Sequence, residues 1–400
     1  MKYFVSLLLF LISQHILAAD MNVSGYLKSY LIAQEGLNNS LLKTQNLYQS
    51  QNSARLMLDI FTENRVWQIH YESGFELRSS RPPVLAEDSG FNPNSYRYKD
   101  LENSSGKENN KNSFFQNLDR LNVQLQLKSG DLTIGRQAIS LGSARIVNPT
   151  DVFLPFNVRA RNTEYRTGID AIRFQKPLGE LSELDLGVII GEDAKVENSA
   201  IFIQYLSHFS ESDIQLTAIQ FSKQQLVGFG IQGAIASIGT WFEMAYVRGN
   251  EEYFRVSCGI DYAPTDNTLL MVEYHNNGAG ADSPSQYQNL ANDIAYQAGG
   301  VFFLNKAYLM PSLSWQVNAL LTLSMQGIFN LKDHSLFLNT SLNYSLSENV
   351  YMGMSYYHFS GRNIRLSQTA TNLGQIIAPE LGSEYGGNPN SFAVNISYYF

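Results

Sequence analysis

The sequence predicts an all-β protein, a transmembrane antiparallel up-and-down β-barrel of about 18 strands. Three observations predict it. Apolar and polar residues alternate with period two in successive segments of about ten residues, the length of a tilted strand crossing a bilayer. The connections between these segments are short and long in turn, in phase along the chain, as in outer-membrane barrels. Hardly any stretch between them carries a helical period.

Taken in order, the chain opens with MKYFVSLLLFLISQHILAAD: Lys2, an apolar run from Tyr3 to Ile12, and a small-residue site at Ala18–Ala19. These are the parts of a secretory signal peptide over residues 1–19, leaving a mature chain of 20–400. The apolar run is too short for a membrane-spanning helix, and no later stretch approaches about 20 consecutive apolar residues. Strands are expected near 22–32, 52–61, 66–77, 118–128, 131–139, 167–176, 182–190, 199–209 and 213–222, then 225–236, 240–248, 252–262, 267–275, 307–317, 320–330, 334–346, 350–359 and 391–400. RLNVQLQLK shows the pattern: Leu121, Val123, Leu125 and Leu127 share one face, and Arg120, Asn122, Gln124, Gln126 and Lys128 the other. HSLFLNTSLNYSL sets Leu336, Leu338, Leu342, Tyr344 and Leu346 against Asn339, Ser341, Asn343 and Ser345. The final SFAVNISYYF aligns Phe392, Val394, Ile396, Tyr398 and Phe400.

The short connections are TENR, SGD, SES, SIG, TDN and SEN; the long ones, expected to be external, fall near 33–51, 78–117, 140–166, 276–306 and 360–390. A soluble sandwich also alternates, but it has edges to protect. A closed barrel has none, as a bilayer requires. An even strand number places both termini on the short-turn, periplasmic side.

Composition narrows the function. The formal net charge of −8 argues against nucleic acid as a partner. The 23 Tyr and 23 Phe suit membrane–water interfaces, with outer-membrane lipid as the surroundings. Cys258 is the single cysteine, which excludes an intrachain disulfide; it shares its parity with Phe254, Val256 and Ile260, as a small apolar filler would. No His/Cys/Asp cluster has ligand spacing, so neither metal nor cofactor is expected. His70, His208, His275, His334 and His358 are the candidates for a rim hydrolase, with His275 on one face with Glu273. No G-x-S-x-G or H-E-x-x-H accompanies them, so no enzyme is expected.

Arg55, Asp59, Arg120, Lys128, Arg173, Asp185, Glu243, Arg255, Asp261 and Glu273 fall on polar parities. A charge facing lipid at mid-depth is costly, so these are expected to face the lumen. The most informative stretch is 132–176, where a long loop carries Arg145, Arg159, Arg161 and Arg166 with Asp151 and Glu164. Its NPTDVFLPF mixes two prolines with apolar residues and is expected to pack inside the barrel, narrowing the passage. Strict parity sets Arg136 with Leu132 and Ile134 on the lipid side; a bulge at Gly135 would turn it inward.

Gly135, Arg136, Gln137, Gly142, Arg145, Pro149, Asp151 and Phe153 form a pattern that resembles the alginate-export-like family of Gram-negative outer-membrane channels. The run from Tyr308 to Gly361 looks like that family's closing strands, and Phe400 like the terminal signal read by the barrel-assembly machinery. The resemblance implies an 18-stranded barrel passing anionic polysaccharide through an arginine-lined constriction. Arg136 and Arg145 carry over by position; Arg159, Arg161, Arg166 and Arg173 are added from the charge of the loop and its following strand. The expected function is passive passage or export of hydrophilic solutes across the outer membrane of a Gram-negative bacterium. The alternatives are a general porin without anion preference and a structural or adhesive barrel without transport.

Overall fold

The computed structural model describes residues 20–37, 43–80, 96–101, 111–153, 155, 164–250, 252–371 and 374–400. The expected signal peptide lies outside them, as do Arg159 and Arg161.

The strands are β1 (Asp20–Gln34), β2 (Leu47–Thr62), β3 (Arg65–Arg78), β4 (Asn112–Leu127), β5 (Gly130–Gln137), β6 (Ile169–Pro177), β7 (Ser182–Ile189), β8 (Ala200–Phe209), β9 (Ser212–Phe221) and β10 (Gln224–Ile235). They continue with β11 (Ile238–Arg248), β12 (Tyr253–Thr265), β13 (Thr268–Asn277), β14 (Ala307–Asn318), β15 (Leu321–Asn330), β16 (Leu336–Ser347), β17 (Val350–Ser360), β18 (Arg365–Thr371), β19 (Gly374–Glu380) and β20 (Ser391–Tyr399). Strands β1 to β17 pair antiparallel with their chain neighbours, β17 pairs with β20, and β20 pairs with β1. The result is a closed 18-stranded barrel; β18 and β19 form a separate hairpin within the last long loop.

Closure is completed by backbone groups. The Gly25 N–H donates to the Phe400 carbonyl at 2.9 Å and the Phe400 N–H to the Gly25 carbonyl at 3.1 Å. One end of the barrel carries only tight turns, such as 63–64, 128–129, 210–211 and 236–237. Ser210 and Glu211 both take left-handed φ (47° and 68°), the turn geometry that matches the twist of the flanking strands. The other end carries every long loop.

β4 begins at Asn112, six residues earlier than the alternation suggests, and the reason is a bulge. His70 pairs with Arg120 and Tyr71 with Leu118, leaving Asp119 as the inserted residue. The insertion reverses the parity beyond it, so the alternation breaks where the strand continues.

The outer face is apolar. Leu27, Leu31, Leu56, Ile201, Val227 and Ile396 are each more than half exposed. Aromatic rings collect near both rims: Phe209, Tyr262, Trp315, Tyr344 and Tyr398 at the short-turn end, and Tyr48, Phe75, Phe114, Phe254 and Phe392 at the long-loop end. A surface this apolar and this broad is suited to lipid, with rings at the headgroup level. Inside, two apolar clusters occupy the long-loop half. One joins Ile139, Leu141, Val152 and Phe153 to the wall from β6 to β12; the other joins Ile146, Val147, Phe303 and Tyr385 to the wall from β13 round to β1.

Candidate functional site

In the loop between β5 and β6, the described residues 138–153 and 164–168 form two limbs that dock inside the barrel on opposite walls. Its descent begins at Gly142, where φ is 111° and a Cβ would lie 2.4 Å from Asn148 Oδ1, so only glycine fits. Asn148, Pro149, Thr150 and Asp151 then form a turn, with the Asp151 N–H on the Asn148 carbonyl at 3.2 Å. Asn at the first position and Pro at the second are the residues such a turn favours. Phe153, fully buried, packs edge-on to Tyr96 at 5.1 Å and beside Phe202 at 6.1 Å.

Two wall carboxylates hold this descending limb. Glu243 on β11 accepts from the backbone N–H groups of Ser143, Ala144 and Thr150 at 2.6, 2.8 and 2.9 Å, and from the Thr150 hydroxyl at 2.7 Å. Glu273 on β13 accepts from the N–H groups of Arg145, Ile146 and Val147 at 3.1, 3.0 and 2.8 Å, and from the Trp241 indole at 2.8 Å. Both carboxylates are wholly buried. A loop enclosed in a barrel cannot give its N–H groups to water, and these anions satisfy them with charge-assisted bonds. Room for the loop comes from β10: a Cβ at Gly228 or Gly230 would lie 2.1 Å from Thr150 Cγ2 or 2.3 Å from Ser143 Oγ.

The return limb, residues 164–168, lies against β1, β2, β4 and β20. Glu164 pairs with Lys28 and accepts from the Tyr399 hydroxyl at 2.9 Å. The Tyr165 ring stacks on Tyr26 at 5.9 Å and lies 4.2 Å below the Arg55 guanidinium. The Gly168 N–H donates to Asp119 at 2.7 Å, and Asp119 pairs with Arg55 and with Arg120. Strands β2 and β11 stand nine places apart in the 18-strand ring, so the two limbs dock on opposite sides of the lumen.

The sequence-predicted charges are distributed as follows. Arg55, Asp59, Arg120, Arg173, Asp185, Glu243, Arg255, Asp261 and Glu273 occupy inward positions in the register. Lys128 does not; β4 ends at Leu127, and Lys128 is exposed in the turn. Asp59 accepts from Gln68 at 3.2 Å and contacts His70 Nε2 at 3.0 Å. Arg173 is bidentate on Asp185, and Arg166 pairs with Asp151 at 2.5 Å. Arg136 pairs in register with Asp170 and makes a two-pronged ion pair with it at 2.8 and 2.9 Å, adding Asp100 at 3.4 Å. Gly135 has a φ of 116°, yet the pairing runs through it without a slip, so Arg136 keeps its place opposite Asp170. Arg255 is buried, with a guanidinium N–H on the Gly299 carbonyl at 3.3 Å. Arg145 differs: its side chain is 51% exposed, 5.8 Å over the Trp241 ring and 3.8 Å from Asp261.

His275 and Glu273 do not form a dyad. His275 Nδ1 lies 2.8 Å from the Ser257 hydroxyl, which itself donates to the Val147 carbonyl at 2.6 Å. The pair is buried behind the loop and serves to hold it. Among the described residues no group of three His, Cys, Asp or Glu is arranged to hold a metal ion.

The rest of the inner wall is of another character. The inward positions of β14 to β17 and β20 below the apolar cluster include Ser312, Ser314, Thr322, Ser324, Gln326, Asn339, Ser341, Asn343, Ser355, Asn395 and Ser397, with Tyr351 and Gly353 among them and no charge. Among the described residues, the descending limb and most paired charges lie against one side of the lumen; the side of β14 to β17 is neutral, polar and for the most part partly exposed.

Sequence reasoning missed Lys28, Asp119, Tyr26 and Tyr165. It also passed over Gly228 and Gly230, although two glycines on one inward parity are a legible signal that another backbone comes close.

No protein-family model matches the chain, and no curated protein matches it. Solved structures do. OccAB4 of Acinetobacter baumannii superposes with a TM-score of 0.60 at 10% identity over 95% of this chain and 98% of that one. A BenF-like porin from Pseudomonas fluorescens Pf-5 gives 0.58 at 11% identity over 95% and 98%. The outer membrane protein OprD from Pseudomonas aeruginosa gives 0.54 at 9% identity over 96% and 94%. The fold is therefore that of the 18-stranded outer-membrane porins. At such identities the likeness carries the fold and nothing finer.

Proposed function

We propose that the protein is an outer-membrane channel for passive diffusion of small hydrophilic solutes. The signal peptide and barrel-assembly machinery take it to the outer membrane of a Gram-negative bacterium. The tight turns then face the periplasm and the long loops the exterior. The observation that carries this reading is the loop of 138–168, docked on both walls, beside an uncharged Ser/Thr/Asn/Gln face. A structural barrel has no use for a solvated inner face, and such a face is what hydrated solutes need.

Within this reading Arg145 is the cation a passing ion meets, because its guanidinium is the exposed one of the described loop arginines. Arg136, Arg120, Arg166 and Arg173 are held by carboxylates and contribute little net field to a passing ion. The finer reading, export of anionic polysaccharide through an arginine-lined constriction, would need those cations released. The geometry favours small solutes with weak charge preference.

Planar-bilayer recording with reversal potentials in a salt gradient tests the proposal. Folded protein should conduct, with modest ion selectivity that moves toward cations on Arg145→Ala and stays unchanged on Arg173→Ala. Folded protein that never conducts would favour the structural barrel. Strong anion selectivity independent of Arg145 would restore the arginine ladder.

A further inference from the structure

We infer that the inner surface at the β20–β1 seam, beneath the return limb of the loop, is a binding site for uncharged polyhydroxylated solutes, that is, small sugars and polyols. The inference rests on the channel reading and names the solute class that its wall recognises. Four tyrosine rings run in a chain across this surface. Tyr351 meets Tyr399 edge-on at 5.6 Å, Tyr399 meets Tyr26 edge-on at 6.1 Å, and Tyr26 stacks with Tyr165 at 5.9 Å. Tyr351 is 40% exposed, Tyr399 and Tyr165 are half-buried, and Tyr26 is buried as their backing. Rings with an apolar face and a polar edge suit a molecule with the same two characters. A sugar ring has C–H faces to lay on them and hydroxyls at its rim.

Polar groups stand where that rim would reach. The Glu164 carboxylate, 35% exposed, is held by Lys28 and the Tyr399 hydroxyl and keeps lone pairs to accept from a hydroxyl. On the same wall the amides of Asn395 and Asn343 converge over Gly353: a Cβ there would lie 2.2 Å from Asn395 Oδ1 and 3.1 Å from Asn343 Oδ1. The glycine, itself buried, lets the two amides lie flat against the wall and present their acceptors side by side. Amides and carboxylates offer the paired donors and acceptors that vicinal hydroxyls use.

Charge decides the class. The cations here are already engaged: Lys28 by Glu164, and Arg55 by Asp119 and by Glu72 at 3.6 Å. An ionic solute would have to displace one of these partners. A neutral polyol uses only the remaining hydrogen-bonding capacity of the same groups, on a wall that is otherwise uncharged.

Two measurements on the full-length protein test this. Calorimetric titration of maltose into protein in an amine-oxide detergent, which has no sugar headgroup, reads binding without reference to conductance. Bilayer recording reads block of the ion current by maltose, with potassium gluconate and lysine hydrochloride as charged probes. Maltose should bind and should block reversibly, and the charged probes should block less. Tyr165→Ala should weaken both about tenfold, the equivalent of roughly 1.4 kcal/mol. Tyr399→Phe, which keeps the ring and loses the bond to Glu164, should weaken them less. Gly353→Ala, whose methyl would displace the Asn395 amide without touching the loop, guards against loss of binding through a misplaced loop. Conductance with no maltose binding would overturn the inference and leave the channel standing. Maltose binding by protein that does not conduct would leave the site standing and remove the channel. Tighter block by either charged probe, or binding untouched by Tyr165→Ala and Gly353→Ala together, would also overturn it.

Discussion

Glu243 illustrates how much can depend on one inward side chain. It is wholly buried 93 to 100 positions in sequence from the groups it holds, and three backbone N–H groups depend on it. Replacing it with Ala leaves those donors unpaired in a dry setting, at about 1–3 kcal/mol for each. Glu243→Ala should therefore undock the loop. The expected record is higher and noisier single-channel conductance, with a barrel that still resists detergent at room temperature. Glu243→Gln keeps one acceptor oxygen and should fall between the two. Unchanged conductance in Glu243→Ala would show that the loop does not limit flow. Arg136, by contrast, belongs to the frame: its ion pair with Asp170 and its bonds to the carbonyls of Lys99 and Leu118 tie strand ends to the 96–101 segment. Arg136→Ala should lower the yield of folded protein and leave ion selectivity as it was, read by reversal potential on what folds.

The same contrast holds for elements. Along β4 the inward and outward faces carry opposite rules. Val123 pairs with Trp67 and Ile134 on the outer face, and Gln124 donates inward to Asp131 at 2.9 Å. Val123→Arg should destabilise the barrel by about 2–4 kcal/mol if it lies at mid-bilayer, whereas Gln124→Arg should be tolerated. Equal losses in refolding titrations would mean that the register is wrong. β20 carries a different burden, because it pairs on both sides and Phe400, the residue that follows it, bonds to Gly25. Deleting Phe400 should lower the amount of heat-modifiable protein in the outer membrane without blocking export of the chain. The motif around Gly135–Phe153 also takes on meaning as an element. Gly142 permits the bend, Pro149 the turn, Asp151 the pair with Arg166 and Phe153 the anchor, so the pattern encodes how the loop docks.

At the scale of the whole molecule, three of the connections at the long-loop end are tied to one another. Asp333, in the β15–β16 connection, accepts from the Tyr287 hydroxyl at 2.8 Å and from the Glu384 N–H at 2.7 Å. Glu384 accepts from Tyr308 at 2.5 Å and Asn330 at 2.9 Å, so three loops share one buried network. Losing a shared acceptor should free the loops without opening the barrel, since the strands keep their own ladder. Asp333→Ala is expected to speed proteolytic cleavage within 278–306 and 381–390 while heat modifiability is retained. Resistance equal to the parent's would show that the network is dispensable.

What the sequence determined by itself is the barrel. Strand faces follow from period-two alternation, and the two ends follow from the phase of short and long connections; both are local, set by residues next to one another. Parity set Glu243, Glu273, Arg173 and Asp185 apart from the apolar face, and each shares its register face with polar neighbours. It could not tell what stands opposite. Glu273 meets a backbone more than 120 residues earlier, Arg136 meets Asp170, and Tyr165 meets Tyr26 only because ring closure brings β1 to the returning loop. The bulge at Asp119 was hidden for a related reason: an inserted residue erases the alternation and shows itself only against its partner strand. Which charges are spent on holding the loop, and which face is left neutral for a solute, was decided by the closed tertiary structure, because the interior of a barrel is filled from across the ring.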